Sequence, residues 1–134
     1  MKDLDILKVA IEQVSAILGE DMWVADRLPR AEDLAENLPA VVIDVLPGDE
    51  VTPWGGEDGI VVGELLALDV EIIAESRAQA TLIAADVRAA LHQLPYQDGL
   101  GVRWVNCPRF ATREDINHHI RVLGTTVDVG ATPN

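Results

Sequence analysis

Hydrophobic and polar positions alternate most regularly between Leu65 and Pro95, where a strand pattern changes into a helix pattern. In the first part of this segment every second residue is apolar, and acids occupy positions between them. The apolar positions are Leu66, Leu68, Val70, Ile72 and Ala74, and the acidic ones are Asp69, Glu71 and Glu75. This alternation predicts a strand with one face in the core and the other in water.

A capped amphipathic helix is predicted to follow this strand. Ser76 and Gln79 are three residues apart, the spacing at which each side chain can bind a free backbone N–H at a helix start. The apolar stripe that follows consists of Ala80, Ile83, Ala84, Val87, Ala90, Leu91 and Leu94. We therefore expect a helix from Ala78 to Leu94, which Pro95 ends.

The first segment predicts another amphipathic helix, ended by Gly19. Its expected buried stripe consists of Leu4, Leu7, Ile11, Val14 and Leu18. Ile6, Val9 and Ile17 lie off this stripe, so the helix is more apolar around its circumference than a surface helix needs. We expect part of it to contact a neighbouring subunit.

The remaining segments predict short strands and turns. The strands are expected at Met22–Ala25, Val41–Leu46, Val102–Ala111 and His119–Val129. The segment from Leu28 to Leu38 has no clean period and is expected to be irregular or briefly helical. Pro47-Gly48 is expected to close one strand in a turn, and Gly63 is expected to mark a kink or bulge in the next.

A long loop rich in glycine and acids is predicted from Pro47 to Gly59, with the sequence PGDEVTPWGGEDG. Loops of this length without structure of their own are usually functional or mobile. An exposed tryptophan is costly, so Trp54 either folds back on its own domain or docks on a partner. The acids are expected to form a solvated rim, because nothing in such a loop desolvates them for catalysis. The candidate contact residues are Asp49, Glu50, Trp54, Glu57 and Asp58.

The element order α, β, long loop, β, α, β, β predicts an α+β fold. Two main helices are expected to pack on one side of a mixed or mainly antiparallel β-sheet. The crossover through the second helix is compatible with one parallel, right-handed strand pair. We expect residues 1–129 to form a single α+β domain and residues 130–134 to form a disordered tail.

Composition restricts the classes of partner. Of 134 residues, 23 are acidic and 10 are Lys or Arg, and the resulting net charge of −13 disfavours binding to nucleic acid or anionic lipid. The only cysteine, Cys107, cannot form an internal disulfide, which is consistent with a reducing cytoplasm. We expect a soluble protein without a signal peptide, because the first 18 residues mix charged and apolar positions and no apolar run approaches a membrane span of roughly 20 residues.

Few residues suggest site chemistry. His118 and His119 follow Glu114 and Asp115, but adjacent residues of a hairpin point to opposite faces and could not easily share a metal. Cys107 with one of these histidines is the only conceivable nucleophilic pair. Cys107 is followed by a proline, which indicates a strand interruption and not an activated thiol. The glycine-rich loop lacks the lysine of a phosphate-binding loop. We expect no catalytic residue, cofactor or metal.

The layout of the chain resembles the tail terminator family of long-tailed bacteriophages. The resemblance covers about Asp3 to Val129, and it rests on the order of these segments. They are Leu38-Pro39-Ala40-Val41-Val42-Ile43, the glycine-rich loop, the strand Leu68 to Ala74, the helix Ala78 to Leu94 around Ala84-Ala85-Asp86-Val87-Arg88, and the closing stretch from Arg121 to Val129.

This resemblance implies a structural role in the virion. Members of the family are small α+β proteins that form a hexameric ring on the finished tail tube, stop its polymerisation and provide the attachment surface for the head connector. The implied partners are further copies of this chain, the tail tube protein, head–tail connector proteins, and DNA passing through the lumen without specific binding; no membrane is implied. Six copies would carry a charge of about −78, six times −13, and acidic side chains lining the lumen would let DNA pass without adhering.

Other functions stay open at the level of sequence. A different neck or minor tail component would have a similar layout. A small acidic ligand-binding or regulatory module would hold a pocket between the helices and the sheet. A small enzyme would depend on Cys107 or on the pair His118 and His119.

Overall fold

The computed structural model describes residues 2–51 and 63–132. The two α-helices are α1 (Lys2–Leu18) and α2 (Arg77–Leu91). The strands are β1 (Trp23–Ala25), β2 (Ala40–Val51), β3 (Gly63–Ala74), β4 (Val102–Asn106), β5 (Ala111–Thr112) and β6 (Arg121–Ala131). Short 3₁₀ turns occupy Ala31–Asp33, Ala35–Asn37 and Leu94–Tyr96. The first two 3₁₀ turns confirm the predicted irregular, briefly helical segment.

The six strands form one mixed sheet in the order β1-β2-β3-β6-β4, with β5 also paired to β6. The β1–β2 pair is parallel and all other pairs are antiparallel. Strand β6 therefore lies between β3 and β4, which run in the same direction but do not touch as a pair. This arrangement confirms the predicted α+β fold, while the parallel pair lies at β1–β2 and not around α2.

Both helices pack on one face of the sheet, which we call the helix face. Strands β2, β3 and β6 contribute alternate residues to the core on this face, among them Ile43, Val70 and Val127. The opposite face, which we call the open face, carries the intervening positions, among them Asp44 and Asp69. The alternation predicted for β3 is confirmed, because Leu68, Val70, Ile72 and Ala74 are all buried.

Helix α1 is rotated from its predicted orientation. Its fully buried positions are Ile6, Leu7, Ala10 and Val14, whereas Ile17 is 47% exposed and Ile11 and Leu18 are only partly buried. Ile6 was expected to lie off the stripe, and that expectation was wrong. The reason is that α1 contacts α2 as well as β1 and β2, so its buried side faces a corner between a helix and the sheet. Gly19 ends the helix as predicted, with a φ of 102° and its N–H donating to the Ser15 carbonyl at 2.9 Å.

The predicted capping box of α2 is present. The Gln79 backbone N–H donates to Ser76 Oγ, and the Glu75 backbone N–H donates to Gln79 Oε1, both at 3.1 Å. The helix ends at Leu91 and not at Leu94, because a residue before proline avoids the α conformation and Pro95 has no N–H to continue the helix. Leu94 lies in the following 3₁₀ turn and is still fully buried.

Strand β2 does not end at Pro47-Gly48, where the sequence predicted a turn. It continues through Pro47 and Gly48 to Val51, and the register with β3 shifts between Leu46 and Asp49. The shift is a bulge, in which a proline can be accommodated because an unpaired residue there need not donate an N–H to the ladder. The predicted loop therefore begins too early, and the bulge lies in β2 rather than at Gly63.

The C-terminal strands also differ from the prediction. The expected strand Val102–Ala111 is divided into β4 and β5, because the chain leaves the ladder between Cys107 and Phe110. Strand β6 extends to Ala131, so Gly130 and Ala131 belong to the sheet and not to a disordered tail. The Thr132 N–H also donates to the Gly101 carbonyl at 2.8 Å.

Candidate assembly surfaces

The candidate contact residues fall into two groups. Asp49 and Glu50 lie in strand β2 beyond the bulge, where their Cα partners in β3 are Leu65 and Glu64. They are therefore strand residues and not members of a loop. Trp54, Glu57 and Asp58 lie outside the described residues.

The open face of the sheet is acidic. Asp44 in β2 lies directly opposite Asp69 in β3, and Glu71 follows two residues further along the same face. Like charges directly across two antiparallel strands destabilise the pair. A cation near these acids would therefore offset the repulsion between them.

Arg113 supplies that positive charge from the segment after β5. Its Nη2 donates to Asp69 Oδ1 at 2.7 Å, and its Nη1 donates to Asp69 Oδ2 and lies 3.1 Å from Glu71 Oε2. The hydrogen bonds to Asp69 are the main reason that the pKa of Arg113 is raised, with Glu71 adding to the effect against partial desolvation. Arg113 thus holds β3 and the β5–β6 pair together with a bidentate contact.

Two glycines in β6 make room for large side chains on the open face. A Cβ on Gly124 would collide with the Arg113 guanidinium, and a Cβ on Gly130 would collide with the Trp104 indole. Both glycines lie at even positions of the same strand and so share one face. Glycine inside a strand often marks the close approach of another group. Gly124 and Gly130 were therefore a signal in the sequence that large side chains cross this face.

A pocket with two arginines lies where α2 meets β6 and the chain between β4 and β5, and we call it the arginine pocket. Its volume is about 250 Å³, and it is lined by Thr81, Ala84, Ala85, Arg88, Arg109, Phe110 and Leu123. Two hydrogen bonds hold its wall against α2: Arg88 Nε donates to the Cys107 carbonyl at 3.1 Å, and Arg77 Nη2 donates to Thr112 Oγ1 at 2.7 Å. Within residues 2–51 and 63–132, neither Arg88 nor Arg109 forms an ion pair.

The opposite side of the protein carries a groove between α1 and β1, which we call the acidic groove. Its volume is about 480 Å³, and it is lined by Leu7, Lys8, Ile11, Glu12, Val24, Ala25 and Asp26. Four of these side chains are apolar, two are acidic and one is a lysine. A smaller groove at the end of α1, of about 250 Å³, adds the acids Asp21 and Glu36 on the same side of the protein.

Several large apolar side chains stay exposed outside these grooves. Leu82 on α2 is 73% exposed, Trp104 on β4 is 48% exposed, and Ile17 on α1 is also open to solvent. Trp23 in β1 is half-buried, and its Nε1 donates to the Arg27 carbonyl at 2.9 Å. Leu28, Tyr96 and Ile116, in the segments between these elements, are also exposed.

Cys107 and the two histidines lie in different environments. Cys107 is buried, and burial raises the pKa of its thiol, with Arg88 opposing the shift. His118 and His119 are exposed in a turn, with ring centroids 3.9 Å apart. The expectation that they point to opposite faces was wrong, because they lie in the tight connection before β6 and not in a regular strand.

Metal-binding clusters and membrane-spanning helices are absent from the described residues. Among them, no three His, Cys, Asp or Glu side chains are grouped so that they could hold a metal ion. Neither described helix is long and apolar enough to cross a membrane.

Comparison with known proteins shows the fold. No protein-family model and no curated protein matches the chain by sequence. Among solved structures, a chain from the virion of a native gene transfer agent particle has a similar fold, with a TM-score of 0.63 and 15% sequence identity. The match covers 95% of this chain and 94% of the other, so nearly every element takes part in it.

Proposed function

We propose that this protein is a structural subunit of a phage-like virion, and specifically a tail terminator. In this role six copies form a ring that caps the tail tube, ends tube polymerisation and joins the tail to the head connector. The observation that carries the proposal is the fold shared with a gene transfer agent virion chain over nearly the full length of both proteins. The order of segments that resembles the tail terminator family supports the finer assignment.

The surfaces of the described residues suit a subunit with several neighbours. Leu82, Trp104 and Ile17 expose apolar area on separate elements, and exposed apolar area of this kind favours protein contacts. The acidic groove and the arginine pocket provide opposite charges on two sides. The core cluster packs apolar side chains of both helices against those of the sheet.

The five candidate contact residues belong to this proposal. Asp49 and Glu50 in β2, with Trp54, Glu57 and Asp58 in the following segment, contact the lumen or a partner protein. Acids that face the lumen repel the DNA backbone and let DNA pass without specific binding. The protein acts without catalytic residues or cofactors, at the head-proximal end of the tail, after synthesis in the host cytoplasm.

Assembly with tail tubes tests the proposal directly. The purified protein is examined by native mass spectrometry and negative-stain electron microscopy, alone and with tail tubes of the matching phage. We expect a six-fold ring that caps one tube end and stops further growth of the tube. A protein that stays monomeric at all concentrations, with and without tubes, would contradict the tail terminator assignment.

A neck or other minor tail position is the alternative within the same class, because the shared fold fits any place in the virion. The two are separated by adding connector and tube proteins one at a time. Binding to the connector without any contact with the tube end would favour a neck component.

The role of the acids is tested by charge reversal. Asp49, Glu50, Glu57 and Asp58 are changed together to Lys. The control changes four exposed acids outside the described grooves to Lys, namely Glu32, Asp86, Asp98 and Glu114. We expect the first variant to assemble but to deliver DNA poorly, because lysines in the lumen bind the DNA backbone. Normal DNA passage and infectivity of that variant would remove the lumen hypothesis.

A further inference from the structure

The arginine pocket and the acidic groove lie on opposite sides of the protein. Helix α1 contacts β1 and β2 at one end of the sheet, and the acidic groove lies between α1 and β1. Helix α2 contacts β3 and β6, and the arginine pocket lies where α2 meets the chain between β4 and β5. Both surfaces can therefore be occupied at the same time by different partners.

The charges of the two surfaces are complementary. The described lining of the arginine pocket contains Arg88 and Arg109 and no acid, although the whole protein has a net charge of −13. The lining of the acidic groove contains two acids, Glu12 and Asp26, and one cation, Lys8. A guanidinium without a carboxylate partner in its own subunit is well suited to a bidentate contact with an acid from outside.

The two surfaces also match in their apolar parts. Phe110 is half-buried in the arginine pocket, beside the small side chains Ala84 and Ala85. The apolar lining of the acidic groove consists of Leu7, Ile11, Val24 and Ala25. The arginine pocket offers an aromatic side chain beside arginines, and the acidic groove offers apolar side chains beside acids. Protein interfaces commonly combine an aromatic or apolar centre with charged residues around it.

We propose that a second copy of this chain docks head-to-tail, with the arginine pocket of one copy against the acidic groove of the next. Neither surface can pair with itself, because two arginine pockets or two acidic grooves would repel each other. A contact between different surfaces leaves one free surface at each end, so it repeats from copy to copy and closes into a ring where the rotation allows. This inference rests on the proposed ring and names the contact that builds it.

Charge exchange between the two surfaces tests the contact. Arg109→Glu and Glu12→Arg are made separately and together, since both side chains are exposed and neither forms an ion pair with another described residue. We expect each single variant to weaken self-association by at least about tenfold, because like charges then face each other across the contact. The double variant has the wild-type net charge and restores the attraction with reversed signs, so its assembly returns toward that of the wild type.

The control is Arg30→Glu, which changes the net charge by the same amount as Arg109→Glu but lies outside both surfaces. Analytical ultracentrifugation and native mass spectrometry measure assembly, and circular dichroism checks that each variant is folded. Wild-type assembly in every variant would overturn this contact while leaving the ring intact. A wild-type protein that does not assemble even on tail tubes would instead overturn the proposed function itself.

Discussion

The two faces of strand β3 are held by different kinds of interaction. On the helix face, Leu68, Val70 and Ile72 are fully buried against α1 and α2. On the open face, Asp69 and Glu71 are part-exposed and depend on one arginine that reaches them from a segment 44 residues away. The same twelve-residue strand thus carries a packed core on one side and a charge network on the other.

The two faces therefore differ in how much they contribute to the free energy of unfolding. Removing apolar area from a packed core leaves a cavity that the surroundings fill only in part. A partly exposed ion pair contributes less, because water and salt compete with it. The helix face therefore determines whether the protein folds, whereas the open face tolerates larger changes in charge.

The largest expected effect is that of a cavity on the helix face. Leu68→Ala removes a side chain that is 1% exposed and should lower the free energy of unfolding by about 2–5 kcal/mol. Thr126→Ala, on the open face of the neighbouring strand, is the control and should change it by less than about 0.5 kcal/mol. Chemical denaturation measures both values, and equal losses would show that the two faces do not differ as described.

Removal of Arg113 should have a smaller effect. Arg113→Ala leaves Asp69 and Glu71 near Asp44 without a cation and should cost about 1 kcal/mol at low salt, with a smaller loss at high salt. Arg30→Ala is the control, because Arg30 is exposed, lies outside both surfaces and forms no ion pair with any described residue. Denaturation at two salt concentrations measures the effect, and a loss that does not depend on salt would mean that packing of the Arg113 stem matters more than its charge.

Gly124 and Arg113 should act as one unit. Gly124→Ala displaces the guanidinium that lies over the glycine and should cost about as much as Arg113→Ala, since both changes break the same contact. In the Arg113→Ala background the space is free, so Gly124→Ala should be neutral or stabilising. Gly130→Ala, which meets Trp104 instead, should add independently to Arg113→Ala in the same cycle.

The smallest expected effect is a dependence on pH from Cys107. Burial raises the pKa of this thiol in the folded state, so the protonated form contributes stability that is complete below the pKa of the unfolded chain and is lost as the pH rises above about 9. Cys107→Ala should remove that part of the alkaline loss. Unfolding measured between pH 7 and pH 10.5 checks this, and identical pH profiles for the two proteins would contradict it.

The sequence predicted the elements whose boundaries depend on neighbouring residues. The capping box of Ser76 and Gln79, the glycine that ends α1 and the alternation in β3 all depend on positions within a few residues of each other. Their physical causes act over one helical turn or one strand pair. The α+β class followed from their order.

The sequence did not predict contacts between distant segments. The rotation of α1 depends on its contact with α2, about seventy residues later in the chain. The bulge at Pro47 and Gly48 appears only when β2 pairs with β3. The candidate surfaces have the same origin, since Arg88 and Arg109 meet in one pocket only after the chain between β4 and β5 folds back on α2.

The sequence alone thus determined the helices, most of the strands, the α+β class and a strongly acidic composition, because periodicity, capping and charge are local or additive properties. The tertiary structure decided that β6 lies between β3 and β4, that Arg113 neutralises the open face, and that opposite charges collect on opposite sides. Those features join residues far apart in the chain. They arise only when the packing of the helix face has fixed where each strand and loop lies.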